Sequence, residues 1–431
     1  MKKGFQYAPE EKLVERAYLV GVSLPDSPRR VEVDHLTELR QLAKTAGAEV
    51  VGSTIQGRTR IDGATFIGPG KAQLIRTECE RLGVNLLIFD ADLSPAQARN
   101  LEKILNINVI DRTELILDIF ARHAKTQQAK IQVELAQLIY TLPRLRKLWD
   151  HLSRQQGGIG TRGPGETQLE VDRRRVRDRI GRLRKDLQTF SKRSEVVRES
   201  RNGCPVVALV GYTNTGKSTL MNAITDANTL AENQLFATLD TLTRKMKAKT
   251  VAPVLVVDTV GFIRRLPHHL VESFRATLSD IAKADLCLHV IDAAHPAFVD
   301  QIDAADHTLE GIKDSDAGKI YVFNKIDLLG EDKIQGLRLR YPDAVFISAA
   351  QGDGLEELKQ RITKSVFGKT LTVEVKIRSV DGKGIARVKS LLRNPTTSSV
   401  ENGVCVFKGV IDTEHMKRLE SLRGVHIRYL L

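Results

Sequence analysis

The chain has 431 residues, 42% of them apolar, and 66 Lys/Arg against 53 Asp/Glu give it a net charge of +13. That much apolar content excludes wholesale disorder, and no apolar run approaches the ~20 residues that cross a bilayer. The N-terminal stretch is basic but has no apolar run behind it, which argues against a secretory signal. A soluble, cytoplasmic monomer of about three domains is expected, with a fraction able to associate with a membrane surface. Cys79, Cys204, Cys287 and Cys405 are far apart and form no CxxC pair, so neither a disulfide framework nor a cysteine zinc site is expected.

The first stretch, 1–112, alternates short apolar runs with amphipathic ones. Ala17–Val22, Ala48–Val51, Asn85–Phe89 and Ile107–Ile110 read as strands. Leu36, Leu39, Leu42, Ala43 and Ala46 sit at helical spacing; Lys71–Leu82 and Ser94–Leu105 are further helices, the last opened by a Ser-Pro start. Strands alternating with helices predict a parallel sheet. Gly68-Pro69-Gly70-Lys71 lacks full phosphate-loop spacing and reads as a turn with a helix start.

The second stretch, 113–203, is mostly helical. Ile131, Leu135, Leu138, Leu142, Leu145 and Trp149 form one heptad seam, and Val176, Ile180, Leu183, Leu187 and Phe190 a second. Pro143 should interrupt the first helix. An antiparallel hairpin is predicted, its tip formed by the glycine-rich 155–166. From Arg173 to Arg201 there are 12 Lys/Arg against 4 Asp/Glu, a surplus of 8, which suits an acidic polymer such as nucleic acid. Its one aromatic, Phe190, lies on the seam, so phosphate contact rather than base stacking is expected.

The third stretch, 204–366, carries the chemistry. The apolar strand Val206–Val210 runs into Gly211-Tyr212-Thr213-Asn214-Thr215-Gly216-Lys217-Ser218 and then an amphipathic helix. This is the phosphate-loop pattern in its required strand–loop–helix setting: backbone N–H groups cradle phosphates, Lys217 reaches the β- and γ-phosphates, and Ser218 ligates Mg²⁺. A second strand ends in Asp258-Thr259-Val260-Gly261, placing Asp258 behind Mg²⁺ and the Gly261 N–H on the γ-phosphate. A third ends in Asn324-Lys325-Ile326-Asp327, where the Asp327 carboxylate can accept from guanine N1 and N2, Asn324 meets the O6/N7 edge and Lys325 lies along the ring. A fourth ends in Ser348-Ala349-Ala350, offering an N–H to guanine O6. Four elements at strand ends imply GTP binding. Phe236-Ala237-Thr238-Leu239-Asp240-Thr241 should hold the switch threonine: Thr238, Thr241 and Thr243 are all candidates, Thr238 first. Phe262 stands where many GTPases use glutamine to orient water, so intrinsic hydrolysis should be slow. Asn214 could hold K⁺ in place of an arginine finger. His268 and His269 read as a surface pair.

The last stretch, 369–431, reads as a small α+β module: strands near 371–377, 404–411 and 425–431, and a helix over 413–422, without a chemical motif.

At this point the chain resembles the HflX family of ribosome-associated GTPases. Gly158–Glu170, Phe236–Asp240, Leu93–Glu102 and Asp258–Phe262 carry the likeness, the glycine-rich segment most specifically. The resemblance implies a Mg²⁺-dependent GTP hydrolase that binds the 50S subunit and its 23S rRNA, separates stalled or idle 70S ribosomes under stress, and is stimulated by ribosomes. It makes Thr238 the Mg²⁺-binding threonine beside Ser218, and Lys217, Thr238 and Gly261 the catalytic set. It places rRNA contacts at Gly160, Arg162, Gly163, Gly165, Arg173, Arg174 and Arg177. A 50S assembly factor and a regulatory GTPase acting on a protein partner are the alternatives. An ATP-dependent activity of the N-terminal domain would rest on Gly68–Lys71 alone.

Overall fold

The computed structural model describes residues 15–25, 29–147, 168–199, 204–225, 236, 242–248, 253–259, 261–263, 284–310, 318–368, 370–401, 403–422 and 424–430. Three sheets organise them, in the expected α/β class.

The first sheet runs β1 (Arg16–Ser23), β2 (Glu49–Gly57), β3 (Leu86–Phe89) and β4 (Asn108–Asp111), in spatial order β2-β1-β3-β4 and parallel throughout. Its central strands are apolar on both faces because helices α1 (Arg29–Thr45), α2 (Pro69–Leu82), α3 (Pro95–Leu105) and α4 (Arg112–His123) accompany them. β2 outruns its predicted end: Ser53–Gly57 is polar, yet it continues the ladder with β1. α3 starts as the sequence says, with a capping box between Ser94 and Gln97 and Pro95 in the first turn. Gly68 is the N-cap of α2, and Arg58 Nη1 donates to the carbonyl beside it, Ile67 O, at 2.6 Å.

α4 packs against α1, so the sheet unit extends through a helix that the sequence boundary at 112 leaves outside it. α5 (Gln127–Thr141) then ends where Pro143 requires, in a 3₁₀ turn over Leu142–Lys147. Arg144 pins that turn: its guanidinium lies 3.6 Å over the Tyr140 ring and bonds Asp111 at 3.1 Å. α6 (Gln168–Glu199) spans 32 residues, about 48 Å at 1.5 Å per residue. Its predicted seam is the side turned inward: Ile180 and Leu183 are buried, and Val176, Leu187 and Phe190 half-buried. Arg179 clasps Glu134 of α5 through two bonds of 2.7 and 2.8 Å. The glycine-rich segment, with Trp149, Gly160, Arg162, Gly163 and Gly165, lies outside the described residues.

The second sheet has six strands: β5 (Val206–Val210), β6 (Leu242–Lys245), β7 (Leu255–Asp258), β8 (Leu286–Asp292), β9 (Gly318–Asn324) and β10 (Val345–Phe346), in order β10-β9-β8-β5-β7-β6. Only β6 runs antiparallel. The described helices are α7 (Lys217–Ile224), α8 (Phe298–Glu310), α9 (Glu331–Arg340) and α10 (Leu355–Phe367).

The third sheet is antiparallel: β11 (Thr370–Arg378), α11 (Gly382–Leu391), β12 (Arg393–Glu401), β13 (Val404–Asp412), α12 (Thr413–Glu420) and β14 (Val425–Leu430), with order β12-β13-β11-β14. This is a ferredoxin-like split βαβ unit, its core built from Val373, Val375, Ile377, Phe407 and Leu419. Among the described residues no helix is long and apolar enough to cross a membrane.

Candidate functional site

The phosphate loop is shaped by contacts that only its own residues allow. Gly211 has φ 147°, and a Cβ there would stand 2.2 Å from Val290 O. Gly216 has φ 91°, and a Cβ there would meet the Asn324 amide at 2.3 Å. Both need glycine, for backbone conformation and for space. Asn214 also adopts a left-handed conformation, φ 61°, at the exposed crest of the loop. Thr215 Oγ1 donates to Tyr212 O at 3.0 Å and closes the turn.

Lys217, the first residue of α7, is buried and donates to the loop carbonyls Gly211 O (3.1 Å) and Tyr212 O (2.7 Å). Burial pushes its ammonium down to about 8, and the Asp258 carboxylate works the other way. Phosphate oxygens would replace those carbonyl partners with full negative charge. Next to it, Ser218 Oγ donates to Asp258 Oδ2 at 2.8 Å. A hydroxyl and a buried carboxylate converging beside a phosphate loop fit a hard, oxygen-seeking Mg²⁺. Ser218 would ligate the ion, with Asp258 orienting its shell, and the ion would supply charge neutralisation between the β- and γ-phosphates.

The segment after Asp258 is stitched to the loop by its backbone. Thr213 N–H donates to Phe262 O at 2.8 Å, and Phe262 N–H donates to Gly211 O at 2.9 Å. Thr259 Oγ1 donates to Leu209 O at 2.7 Å. A Cβ on Gly261 would stand 2.9 Å from Lys217 Nζ and 3.0 Å from Thr213 Cα, so any side chain there would press on the phosphate-binding lysine. Phe262 is 4% exposed. Its ring is part of the interior, away from any attacking water, and has no group to orient one. Of the switch residues, Phe236 is buried with φ 59°; Ala237, Thr238, Leu239, Asp240, Thr241 and Val260 lie outside the described residues, as do His268 and His269.

At the base end the structure adds a bracing role to the residue expected on the O6/N7 edge of guanine, Asn324. It is 3% exposed, and its carboxamide is committed to two other loops: Nδ2 donates to Thr215 O at 2.8 Å, and Oδ1 accepts from Ala349 N at 2.9 Å. Its part is to join the phosphate loop to the base loop. Lys325, with φ 65°, is fixed by Asp292 at 2.7 Å, which lays its stem along the site. Asp327 is exposed and presents its carboxylate outward, as recognition of a purine edge requires. Ser348 is fully buried and receives Gln351 N at 3.2 Å; Gly354, at φ 70°, returns the chain beneath Phe346 O. This tightens the turn carrying Ala349 and Ala350. Sequence reasoning missed the bracing by Asn324, Asp292 and Thr259, because each acts across a gap in the chain that no local pattern spans.

Comparison with known proteins fits this geometry. Residues 33–121 match a family model described as GTP-binding GTPase N-terminal, 123–201 one described as GTP-binding GTPase middle region, and 206–325 one described as 50S ribosome-binding GTPase. GTPase HflX of Flavobacterium psychrophilum is 44% identical over 374 residues, covering 82% of this chain and 90% of that protein. GTPase HflX of Lacrimispora saccharolytica is 47% identical, covering 81% and 82%, and that of Escherichia coli K12 is 44% identical, covering 82% and 84%. A crystal structure of an SsGBP–GDP complex is similar at 26% identity and a TM-score of 0.46, covering 82% of this chain and 99% of that one.

Two expectations follow. Asn324→Ala strands Thr215 O and Ala349 N, so it should lower the stability of the nucleotide-free protein by about 1–3 kcal/mol and weaken GTP binding as well. Asp327→Ala should weaken GTP binding with no change in that melting curve; equal thermal losses in both variants would refute the division. The second concerns pH. Above about 8 the free protein loses the Lys217 proton that bound triphosphate needs, so GTP affinity should fall as pH rises through 8. In Lys217→Met the weakened residual binding should be flat over the same range, measured by titration with a fluorescent nucleotide.

Proposed function

This chain belongs to the HflX family of GTPases, and from that premise we propose that it docks on the large ribosomal subunit in its GTP state and dissociates or rescues stalled or idle 70S ribosomes under stress. The carrying observation is α6: a long helix whose inward stripe is narrow and whose remaining faces are dense in arginine. Arg174 and Arg177 are exposed and Arg173 half-exposed, a spacing suited to the regular phosphates of 23S rRNA. The description of the G-domain model as a 50S ribosome-binding GTPase supports the same partner. Membrane-surface association gains no support from the fold or the relatives. The division of labour follows the sequence boundaries: 1–112 and the arm 113–203 for rRNA, 204–366 for nucleotide, and 369–431 for a role not set by any motif. Action is in the cytoplasm, as a monomer.

GTP binding engages Thr238 with the γ-phosphate and Mg²⁺, and the Gly261 N–H, already held beside the phosphate loop, with the γ-phosphate. Because Phe262 is built into the interior, nothing at that position aims the attacking water. Docking must complete that arrangement, so hydrolysis follows docking and then releases the factor. The two nucleotide states must differ in affinity for the subunit, or hydrolysis would switch nothing.

Steady-state GTP hydrolysis with and without purified 50S subunits, at two salt concentrations, tests this reading. A large stimulation that fades with salt is expected, and charge reversal at Arg173, Arg174 and Arg177 should remove it while leaving basal turnover unchanged. No stimulation, with GTP binding intact, would make α6 a structural or protein-binding element. For a 50S assembly factor, stimulation would persist but 70S particles would not be split.

A K⁺ at Asn214 would supply transition-state charge in place of an arginine finger. The left-handed, outward crest at Asn214 leaves its carboxamide available for such a contact. Turnover should rise when K⁺ replaces Na⁺ at constant ionic strength, and Asn214→Ala should abolish the difference. Equal rates in the two salts would eliminate K⁺ from the mechanism.

A further inference from the structure

The N-terminal sheet has its own switch point. With strand order β2-β1-β3-β4, the chain leaves β1 in one direction and returns to the other side of it at β3, and ligands of parallel sheets collect at the carboxyl ends of such a strand pair. At that place three potential metal ligands are buried together: Glu32 and His35 from the start of α1, and Asp90, the residue that follows β3 and hydrogen-bonds to Val20 O of β1 at 2.9 Å. Their exposures are 1%, 8% and 2%, and their ligand atoms lie within 4.8 Å of one another.

The His35 ring identifies what the cluster is for. Its Nδ1 has no hydrogen-bond partner, although it faces Glu32 Oε2 at 3.4 Å and Asp90 Oδ2 at 3.9 Å. Those separations are too long for charge-assisted hydrogen bonds, which close to about 2.7–2.9 Å. The His35–Glu32 separation matches the spacing of two ligands on one metal ion, since bonds of about 2.0–2.2 Å at tetrahedral angles place neighbouring ligand atoms about 3.4 Å apart, and Asp90 stands within reach at slightly greater distance. Glu32 and His35 are three apart on one helix, so both project from the same face, the Glu-x-x-His arrangement used by metal sites in helical proteins.

The surroundings hold the third ligand in place. Arg112, the first residue of α4, donates through Nη1 to Asp90 Oδ1 at 2.7 Å and through Nη2 to Glu38. That holds one oxygen of Asp90 on the guanidinium; the other, Oδ2, lies 3.9 Å from His35 Nδ1. Outer-sphere partners orient metal-binding carboxylates in this way.

We propose that Glu32, His35 and Asp90 form a binding site for one divalent transition-metal ion at the switch point of the N-terminal sheet. One imidazole and two carboxylates suit Zn²⁺ or Mn²⁺, whereas Mg²⁺ and Ca²⁺ prefer all-oxygen shells. The ion ties the first turns of α1 to the end of β3 and is separate from the Mg²⁺ beside Ser218.

The test uses the full-length chain, stripped with chelator, saturated with Mg²⁺ and GDP, loaded with Zn²⁺ and freed of excess. Bound metal is counted by mass spectrometry for the wild type, Glu32→Gln and His35→Ala, with circular dichroism to confirm folding. The wild type should retain about one Zn²⁺ per chain more than either variant, and Co²⁺ loading should give visible absorption bands in the wild type alone. Glu32→Gln preserves side-chain size, so its loss of metal cannot be blamed on a cavity. Equal metal content in the wild type and folded variants overturns the site.

Discussion

One carboxamide sets the geometry on which nucleotide recognition depends. Asn324 sits at the end of β9 and joins Thr215, 109 residues earlier, to Ala349, 25 residues later. The phosphate loop and the base loop are otherwise separate excursions from the sheet. Through Asn324 a change at one end of the site reaches the other without crossing solvent. The amide can do this because it carries donors and an acceptor on one rigid plane, an N–H going to the phosphate loop and the oxygen to the base loop. Aspartate or leucine at the position would leave at least one loop group buried without a partner. The left-handed turn at Lys325 directly after it turns Asp327 outward. The two residues thus stand close together at the base end, one braced between loops and the other exposed.

A second constraint lies between Gly261 and Phe262. Hydrogen bonds in both directions join Phe262 to the phosphate loop, so the start of this switch is an extension of the ladder and not a free flap. That arrangement keeps the Gly261 N–H close to Lys217, where a γ-phosphate would be sensed. It also buries the side chain that in other GTPases would manage water. Sensing and hydrolysis are thus separated: the fold is prepared to register GTP but not to spend it.

How far the sequence could be read depended on how local each feature is. The phosphate loop, the capping box at Ser94 and the break at Pro143 are written in adjacent residues, and each lies where the pattern says. The apolar strands of the two parallel sheets were equally legible, since burial on both faces leaves continuous runs of valine, leucine and isoleucine. What escaped was polar or remote. Ser53–Gly57 lacks apolar alternation and is held as strand only by β1. β12 contains Pro395 and a Thr-Thr-Ser-Ser run, and survives because it is an edge strand whose irregular register accommodates the proline. With α11 also unread, the ferredoxin-like topology of the last domain could not be assembled. The role of Asn324 and the gathering of Glu32, His35 and Asp90 depend on strand order, which no spacing encodes.

The charge on α6 has an energetic consequence of its own. Arg173 with Arg177 and Arg175 with Arg179 stand four apart on one helix, while Arg179 with Arg182 and Arg182 with Lys185 stand three apart. Like charges at these spacings destabilise a helix by roughly 0.2–0.5 kcal/mol per pair. Asp172 lies 3.6 Å from Arg175, and Glu134 clasps Arg179. Exposed pairs of this kind contribute little. The buried stripe around Ile180 and Leu183 adds apolar packing that acts against the repulsion. A polyanion would remove that repulsion and make new contacts at the same time. The strain makes sense as a helix fitted to a bound state, where its charges are neutralised, and only tolerated in the free one. Burying more of the helix would stabilise the free protein but would hide its exposed arginines.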